Sequence, residues 1–436
     1  MDDNFGYLYE EQRKPKKKLP FWLGLLIGFL GGSAVVTAMA VAAVFLLGGL
    51  ADGGGVNYIP SDEEALDGSG KVDLEMLTGE DADRKVEAIA DLIEGNYYRL
   101  EDINTSEMQE AMYEGMVGAL GDKYSTYYSP RELDQILEGT QGVYSGIGAY
   151  VSMDNVSNYP VIAGTIKETP AEAAGLLMDD IIYEVDGVNT EGMELEEVVS
   201  RIKGQAGTKV SLTLIRSGQE VKVEVERKRI SSPTVTNEFF EEDKIGYIAI
   251  TEFDDVTTKQ FEEAMEELEQ KGMTALIIDL RGNPGGNLVT VCEIARLLLP
   301  KGVIVSTKDR DGNTTEYTCD GKGRFNLPLA VLVNGYSASA SEILAGAIKD
   351  YGIGTLVGTN TYGKGVVQQI IPLGDGSAVK LTVSSYYTPK GTNINGVGIA
   401  PDEEVELDVE AYNSEEKYDS QLEKAKEIIR GKQGAG

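Results

Sequence analysis

LAVLVNGYSASASEILAGAIK, residues 329 to 349, runs from an unbroken apolar segment through three serines at alternate positions into a helical pattern. LAVLVN is too continuously apolar for a half-exposed strand. It reads as a strand buried on both faces, the kind found in parallel sheets covered by helices. The serines Ser337, Ser339 and Ser341 then stand where a core strand meets a helix N-terminus. A helix start leaves backbone N–H groups without intrahelical acceptors, and donors of that kind can stabilise an oxyanion. A local reading competes with catalysis here, because Ser339-Ala340-Ser341-Glu342 also fits the S-x-x-E capping box, in which Ser339 would only cap the helix.

Outward from this stretch the order is strand, helix, strand, helix: IGYIAI, TTKQFEEAMEELEQKG, TALIIDL and NLVTVCEIARLLLP, with further strands at VIVST, TTEYT and TLVG. Such alternation predicts an α/β core over 231–410. VVQQIIPL and AVKLTVSSYYTP, joined through GDGS, read as a β-hairpin, and 411–436 as a charged helical tail ending in loose glycines. Upstream, 76–137 has apolar residues recurring at three and four and reads as a small helical domain, a candidate dimerisation element whose tyrosines are packing groups. Residues 138–230 switch to short β-rich runs with one helix near Leu195 to Ile202.

The first residues form a third region. Residues 19–50 carry no charge for 32 positions, more than a helix needs to cross a bilayer, and RKPKKK at 13–18 holds five positive charges directly before them. The expectation is a single-pass, uncleaved anchor in the cell membrane. A cytoplasmic basic tail (1–18) precedes it, a Gly- and Asp-rich linker (51–75) follows, and the rest of the chain lies outside the cytoplasm. Together the regions predict a multidomain α/β protein: transmembrane helix, helical domain, β-rich domain and α/β core.

Composition then removes whole classes of chemistry. The formal net charge of −33 argues against nucleic acid as a partner, since its phosphates would be repelled. The absence of histidine excludes Ser-His-Asp and Cys-His catalysis and any His-ligated metal site. Cys292 and Cys319 match no metal motif; a disulfide and two buried thiols are both open, with the apolar helix pattern around Cys292 favouring the thiols, and no cofactor or metal is expected. A serine nucleophile would need another base, and lysine serves if burial lowers its pKa. The short S-x-x-K matches Ser200/Lys203, Ser377/Lys380 and Ser414/Lys417 are the chance coincidences of a four-letter pattern. Lys364 in YGKGVVQQ is the better candidate, flanked by glycines that permit close approach. In a straight strand Gln368 would lie about 13 Å from it, so contact between them requires a bend at Gly365.

Two resemblances follow from these residues. Gly146-Ile147-Gly148-Ala149, the Thr169 to Leu176 turn and Asp179-Asp180-Ile181-Ile182 leading to Asp186-Gly187 resemble a PDZ domain. That implies a groove between a strand and a helix, in which N–H groups of Ser145, Gly146, Ile147, Gly148 and Ala149 receive a peptide's C-terminal carboxylate. SASASEILAGAIKD followed by GTNTYGKGVVQQ, with DLRGNPGG upstream, resembles the C-terminal processing peptidases, or tail-specific proteases, over residues 80–410.

The second resemblance implies Ser339 as nucleophile, Lys364 as general base and Gln368 as its support. It also implies backbone N–H groups of Ala340 and Gly285 as oxyanion donors, with Asp279 and Arg281 fixing the turn. The expected substrates are proteins or peptides with disordered C-termini. The alternatives are a catalytically silent, membrane-tethered PDZ scaffold and a Ser-Lys amidase acting on cell-wall peptides.

Overall fold

The computed structural model describes residues 74–154, 157–323, 325–414 and 417–434. The expected basic tail and anchor, and nearly all of the linker, lie outside the described residues. Among the described residues no helix is long and apolar enough to cross a membrane. The chain divides into two compact units at Asp102 and Ile103. In the first, the described part is a short turn, Glu75–Leu77, the helix Glu80–Asn96 and a second turn, Leu100–Asp102.

The second unit is built on a six-stranded sheet. Val235–Phe240 pairs antiparallel with Ile245–Ile250, and Ala275–Asp279, Leu329–Val333, Thr355–Gly358 and Glu403–Glu404 follow in parallel. Strand residues alternate between its faces. Leu276, Ile278, Leu329, Val331 and Val333 join the core under Thr257–Gln270, Leu288–Leu298 and Ala340–Tyr351. Ala275, Ile277, Ala330 and Leu332 pack instead with Ala425 and Ile429 of the helix Ser420–Gln433. The segment read as a charged tail is thus a covering layer of the sheet. Only a few of its residues face inward, too few for its charged composition to betray burial.

A second, five-stranded sheet contains the expected hairpin, Val366–Pro372 against Ala378–Tyr387, together with Gly302–Asp309 and Thr314–Cys319. Its other edge is Thr126–Tyr128, from the stretch read as a turn after the helical segment. Three residues are too few to display strand alternation, which is why this pairing was invisible in the sequence. Cys292 and Cys319 are buried free thiols.

The β-rich segment forms its own sheet, in order Ala149–Met153, Pro160–Thr165, Ile181–Val185, Lys209–Arg216, Gln219–Glu226. Its core includes Ile162, Ile182, Leu212, Leu214 and, from the helix Leu195–Ile202, Val198 and Ile202. Val143–Gly146 and Lys228–Ser231 pair with each other where the chain enters and leaves this module.

Candidate active site

The three alternating serines have different environments. The Ser337 hydroxyl donates to the Leu280 carbonyl at 2.7 Å and accepts the Asn334 N–H at 3.0 Å, while Ser341 donates to the Asn283 carbonyl at 3.0 Å. Both are fully buried and act as rivets between the serine loop and the DLRGNPGG turn. Ser339 is half-buried, with φ +54° and ψ −113°, an unusual backbone conformation for a residue with a side chain. Both contacts of the capping box anticipated for it are present, but one is loose: the Ser339 side chain approaches the Glu342 N–H without closing a hydrogen bond. Glu342 lies within reach, but its N–H donates to the Ser339 carbonyl at 2.9 Å and the Ser339 hydroxyl makes no cap hydrogen bond.

The other contact of the box does close, and it reaches further than a cap. The fully buried Glu342 carboxylate accepts the Ser339 N–H at 2.9 Å through one oxygen, and that same oxygen accepts the Lys364 N–H at 2.9 Å. Its other oxygen accepts the Gly363 N–H at 2.8 Å and the Thr361 hydroxyl at 2.5 Å. One carboxylate therefore fixes the backbone of both candidate reactive residues. The sequence carried the signal, since Glu342 is the last letter of the S-x-x-E motif, but as a cap it pointed only to its own helix.

Ser339 and Lys364 line one cavity of about 720 Å³, together with Ala340, Gln368, Lys380 and Tyr386. Burial, followed by the nearby Lys380 charge, pushes the Lys364 ammonium below its ordinary pKa; Tyr362, Glu342 and Asp122 act in the opposite sense. The ammonium also lies 4.9 Å from the centre of the Tyr124 ring, which favours the charged form. Tyr124, read as a packing group, is thus a neighbour of the lysine. The Tyr386 hydroxyl donates to the Ser339 carbonyl at 3.1 Å.

Lys364 precedes the strand Val366–Pro372, and Gly365 is packed so closely that a Cβ there would stand 2.5 Å from the Asn395 nitrogen. The hairpin register shifts between Val367 and Gln368, so the two positions do not lie along one straight strand. Gln368 lines the cavity, yet its amide donates to the Thr382 hydroxyl at 3.1 Å, and no hydrogen bond joins it to Lys364.

Gly285 abuts the serine loop: a Cβ would fall 2.8 Å from the Ala338 carbonyl oxygen and 2.9 Å from the Ala340 nitrogen, so only glycine fits. Its N–H, however, already donates to the Asn283 side-chain oxygen at 2.8 Å. Ala340 opens the helix, so its N–H is one of the donors that a helix start leaves without an intrahelical partner. Asp279 and Arg281 brace this turn. The Arg281 guanidinium pairs with Asp279 at 2.6 Å and with Asp419 at 2.8 Å, tying the turn to Ser420–Gln433.

Of the five residues expected to receive a peptide carboxylate, Ser145 lines a cavity of about 690 Å³ with Val199 and Ser200 of the PDZ-like helix and with Lys203 just past its end. Gly146, Ile147 and Gly148 are buried beside it, and Ala149 opens the adjoining strand. The carbonyls of Ser145, Ile147 and Gly148 accept backbone N–H groups of Gly204, Ala171 and Ile166, which fixes the loop. Gln135 and Gly139 of the helix Pro130–Gln141 line both this cavity and the one holding Ser339.

Comparison with known proteins agrees with this geometry. Residues 244–405 match Peptidase family S41 and residues 161–216 match a PDZ domain. The chain is 38% identical over 308 residues to the "Carboxyl-terminal-processing protease" of Synechocystis sp., covering 70% of this chain and 72% of that protein. It is 34% identical over 375 residues to the "Carboxy-terminal processing protease CtpB" of Bacillus subtilis, with coverages of 84% and 76%. A "Probable CtpA-like serine protease" of Staphylococcus aureus is 31% identical over 408 residues, with coverages of 93% and 77%. Similarity of this extent, spanning the serine loop, the lysine loop and the PDZ module together, means that the chain belongs to the S41 family of C-terminal processing serine proteases.

Proposed function

We propose that this protease is a membrane-anchored, extracytoplasmic endopeptidase that cuts with a Ser339–Lys364 dyad. The observation that carries the assignment is the contrast among the serines. Ser337 and Ser341 have their hydroxyls committed to neighbouring carbonyls, whereas Ser339 has no cap bond and shares a cavity with a lysine whose charge is disfavoured by burial.

In the first step the neutral Lys364 amine takes the Ser339 proton, and Oγ attacks the scissile carbonyl carbon to form a tetrahedral oxyanion. Collapse breaks the C–N bond, and the Lys364 ammonium returns the proton to the departing amine. Water, deprotonated by the same amine, then hydrolyses the ester. The Ala340 N–H is the first oxyanion donor. The Gly285 N–H becomes the second when it shares its hydrogen bond between Asn283 and the substrate oxygen. Gln368, held by its hydrogen bond to Thr382, supports the lysine from the wall of the cavity.

The groove beside Ser145 takes the substrate's disordered C-terminus, and the helix Pro130–Gln141, which touches both cavities, couples that docking to the cleft. The uncharged run at 19–50 and the basic flank at 13–18 support the anchor and the orientation. The exposed face Met108, Met112 and Met116 supports contact with a second copy of the chain.

The test uses the full chain in detergent, with an unfolded protein bearing an apolar C-terminus as substrate. Ser339→Ala and Lys364→Ala should each lower turnover by roughly 10³-fold or more, and a serine-reactive probe should label the parent at Ser339. Degradation by both variants at the parent's rate would sink the dyad. A parent that resists the probe and cuts nothing, yet binds C-terminal peptides, would favour the scaffold.

A further inference from the structure

The cleft has a second wall that the mechanism does not use. Glu252 and Asp254 line the same cavity as Ser339. They flank Phe253, whose side chain is fully buried in the core, so alternation along this extended segment sends both carboxylates the other way, into the cleft. The segment is held to the glycine turn: the Phe253 N–H donates to the Gly285 carbonyl at 2.9 Å and the Asn287 N–H to the Phe253 carbonyl at 2.6 Å. Gly285 in turn abuts Ser339 and Ala340. The two acids therefore stand one extended segment away from the nucleophile loop.

Asp254 is only 5% exposed, and no hydrogen bond or ion pair reaches its carboxylate among the described residues. Burial and the neighbouring Glu252 and Asp255 push its pKa up to about 7, and burial raises Glu252 as well. The cavity's lysines do not offset this, since neither Lys364 nor Lys380 is among the groups that act on Asp254. Its oxygens open on the cleft, so the donor that the protein does not supply must come from water or from a ligand held there.

We propose that Glu252 and Asp254 form a subsite for a cationic side chain, lysine or arginine, of the polypeptide held in the cleft, a few residues from the bond to be cut. This rests on the reading of the cavity as the active site. The pairing gives the buried Asp254 and the exposed Glu252 a shared charged partner and gives the protease a local sequence preference that is separate from recognition of the C-terminus.

The test is a set of peptides sharing one apolar C-terminus, with lysine or norleucine placed in turn at each position around a single cleavage site. Cleavage is measured with the full chain, and binding by fluorescence anisotropy with its Ser339→Ala variant. At one position lysine should be favoured over norleucine by about tenfold or more. That ratio should collapse toward one in Glu252→Gln and in Asp254→Asn. Glu252 is an exposed residue, so its variant keeps the test open if Asp254→Asn folds poorly.

A ratio near one at every position, or one that survives both substitutions, overturns the subsite. If the parent cuts nothing while lysine-dependent binding persists and is lost in the variants, the subsite stands and the dyad reading falls. If there is neither cleavage nor a preference in binding, the subsite falls.

Discussion

Two carboxylates sit in or behind one cleft, and the fold treats them in opposite ways. Glu342, fully buried, collects hydrogen bonds from Ser339, Lys364, Gly363 and Thr361. Asp254 is almost as buried and accepts none from the described residues. A carboxylate surrounded by donors is part of the scaffold, because its charge is already satisfied and moving it would strand several N–H groups at once. One without donors is held in place by the backbone around it and keeps its acceptor capacity for something that arrives later. In this protein the first kind stands behind the chemistry and the second faces it.

The comparison breaks most visibly at Glu342. Glu342→Gln removes the charge and turns one acceptor into a donor that faces other donors. The expected loss is about 3 kcal/mol or more of stability, read from thermal or denaturant unfolding. Turnover should fall by roughly 10²-fold because the serine and lysine loops lose their common anchor. A glutamine variant as stable as the parent would mean that the four hydrogen bonds do not act together.

How this arrangement could be read from the sequence differs between the two residues. The parallel core was legible because LAVLVN and TALIIDL are buried on both faces and keep no polar alternation. The proposed nucleophile and base were legible only jointly: the lack of histidine directed attention to lysine, and the family resemblance selected Ser339 and Lys364. Glu342 was half-legible, since a capping motif reports a bond to its own helix and says nothing of Gly363 and Lys364, some twenty residues on. Asp254, Tyr124 and Thr126–Tyr128 were not legible at all. Their roles depend on which distant backbone they meet, and no local period encodes that. The occupied Gly285 N–H likewise depends on a side-chain rotamer of Asn283.

A smaller effect sharpens the other side of the comparison. Asp254 holds its proton up to about pH 7 in the folded protein, against an ordinary carboxyl value near 4 when unfolded. The folded state therefore binds more protons between these limits, so the stability associated with this group is present at low pH and is lost as pH rises through about 7. Asp254→Asn should be more stable than the parent at about pH 8, with an advantage that shrinks as the pH falls through about 7 and is gone near 4. Unfolding midpoints measured across this range check it. An advantage independent of pH would mean that asparagine improves packing and that the carboxylate is not strained.

The smallest expected effect concerns Lys364, which lines the same cleft, and it comes as a pair of opposite shifts. Lys364 must be neutral to accept a proton, so the acid limb of turnover follows its pKa. The groups that act on it are Lys380, which disfavours its charge, and Tyr362, Glu342, Asp122 and the Tyr124 ring, which favour it. Lys380→Met removes the repulsion, so the ammonium becomes more stable and the acid limb should move to higher pH. Tyr124→Leu removes the ring face, so the limb should move to lower pH. The readout is the midpoint of the pH–rate profile, whatever happens to its height, and a merely structural role for either residue would change height alone. Shifts of the same sign in both variants would contradict the placement of Lys364 between an opposing cation and a supporting ring.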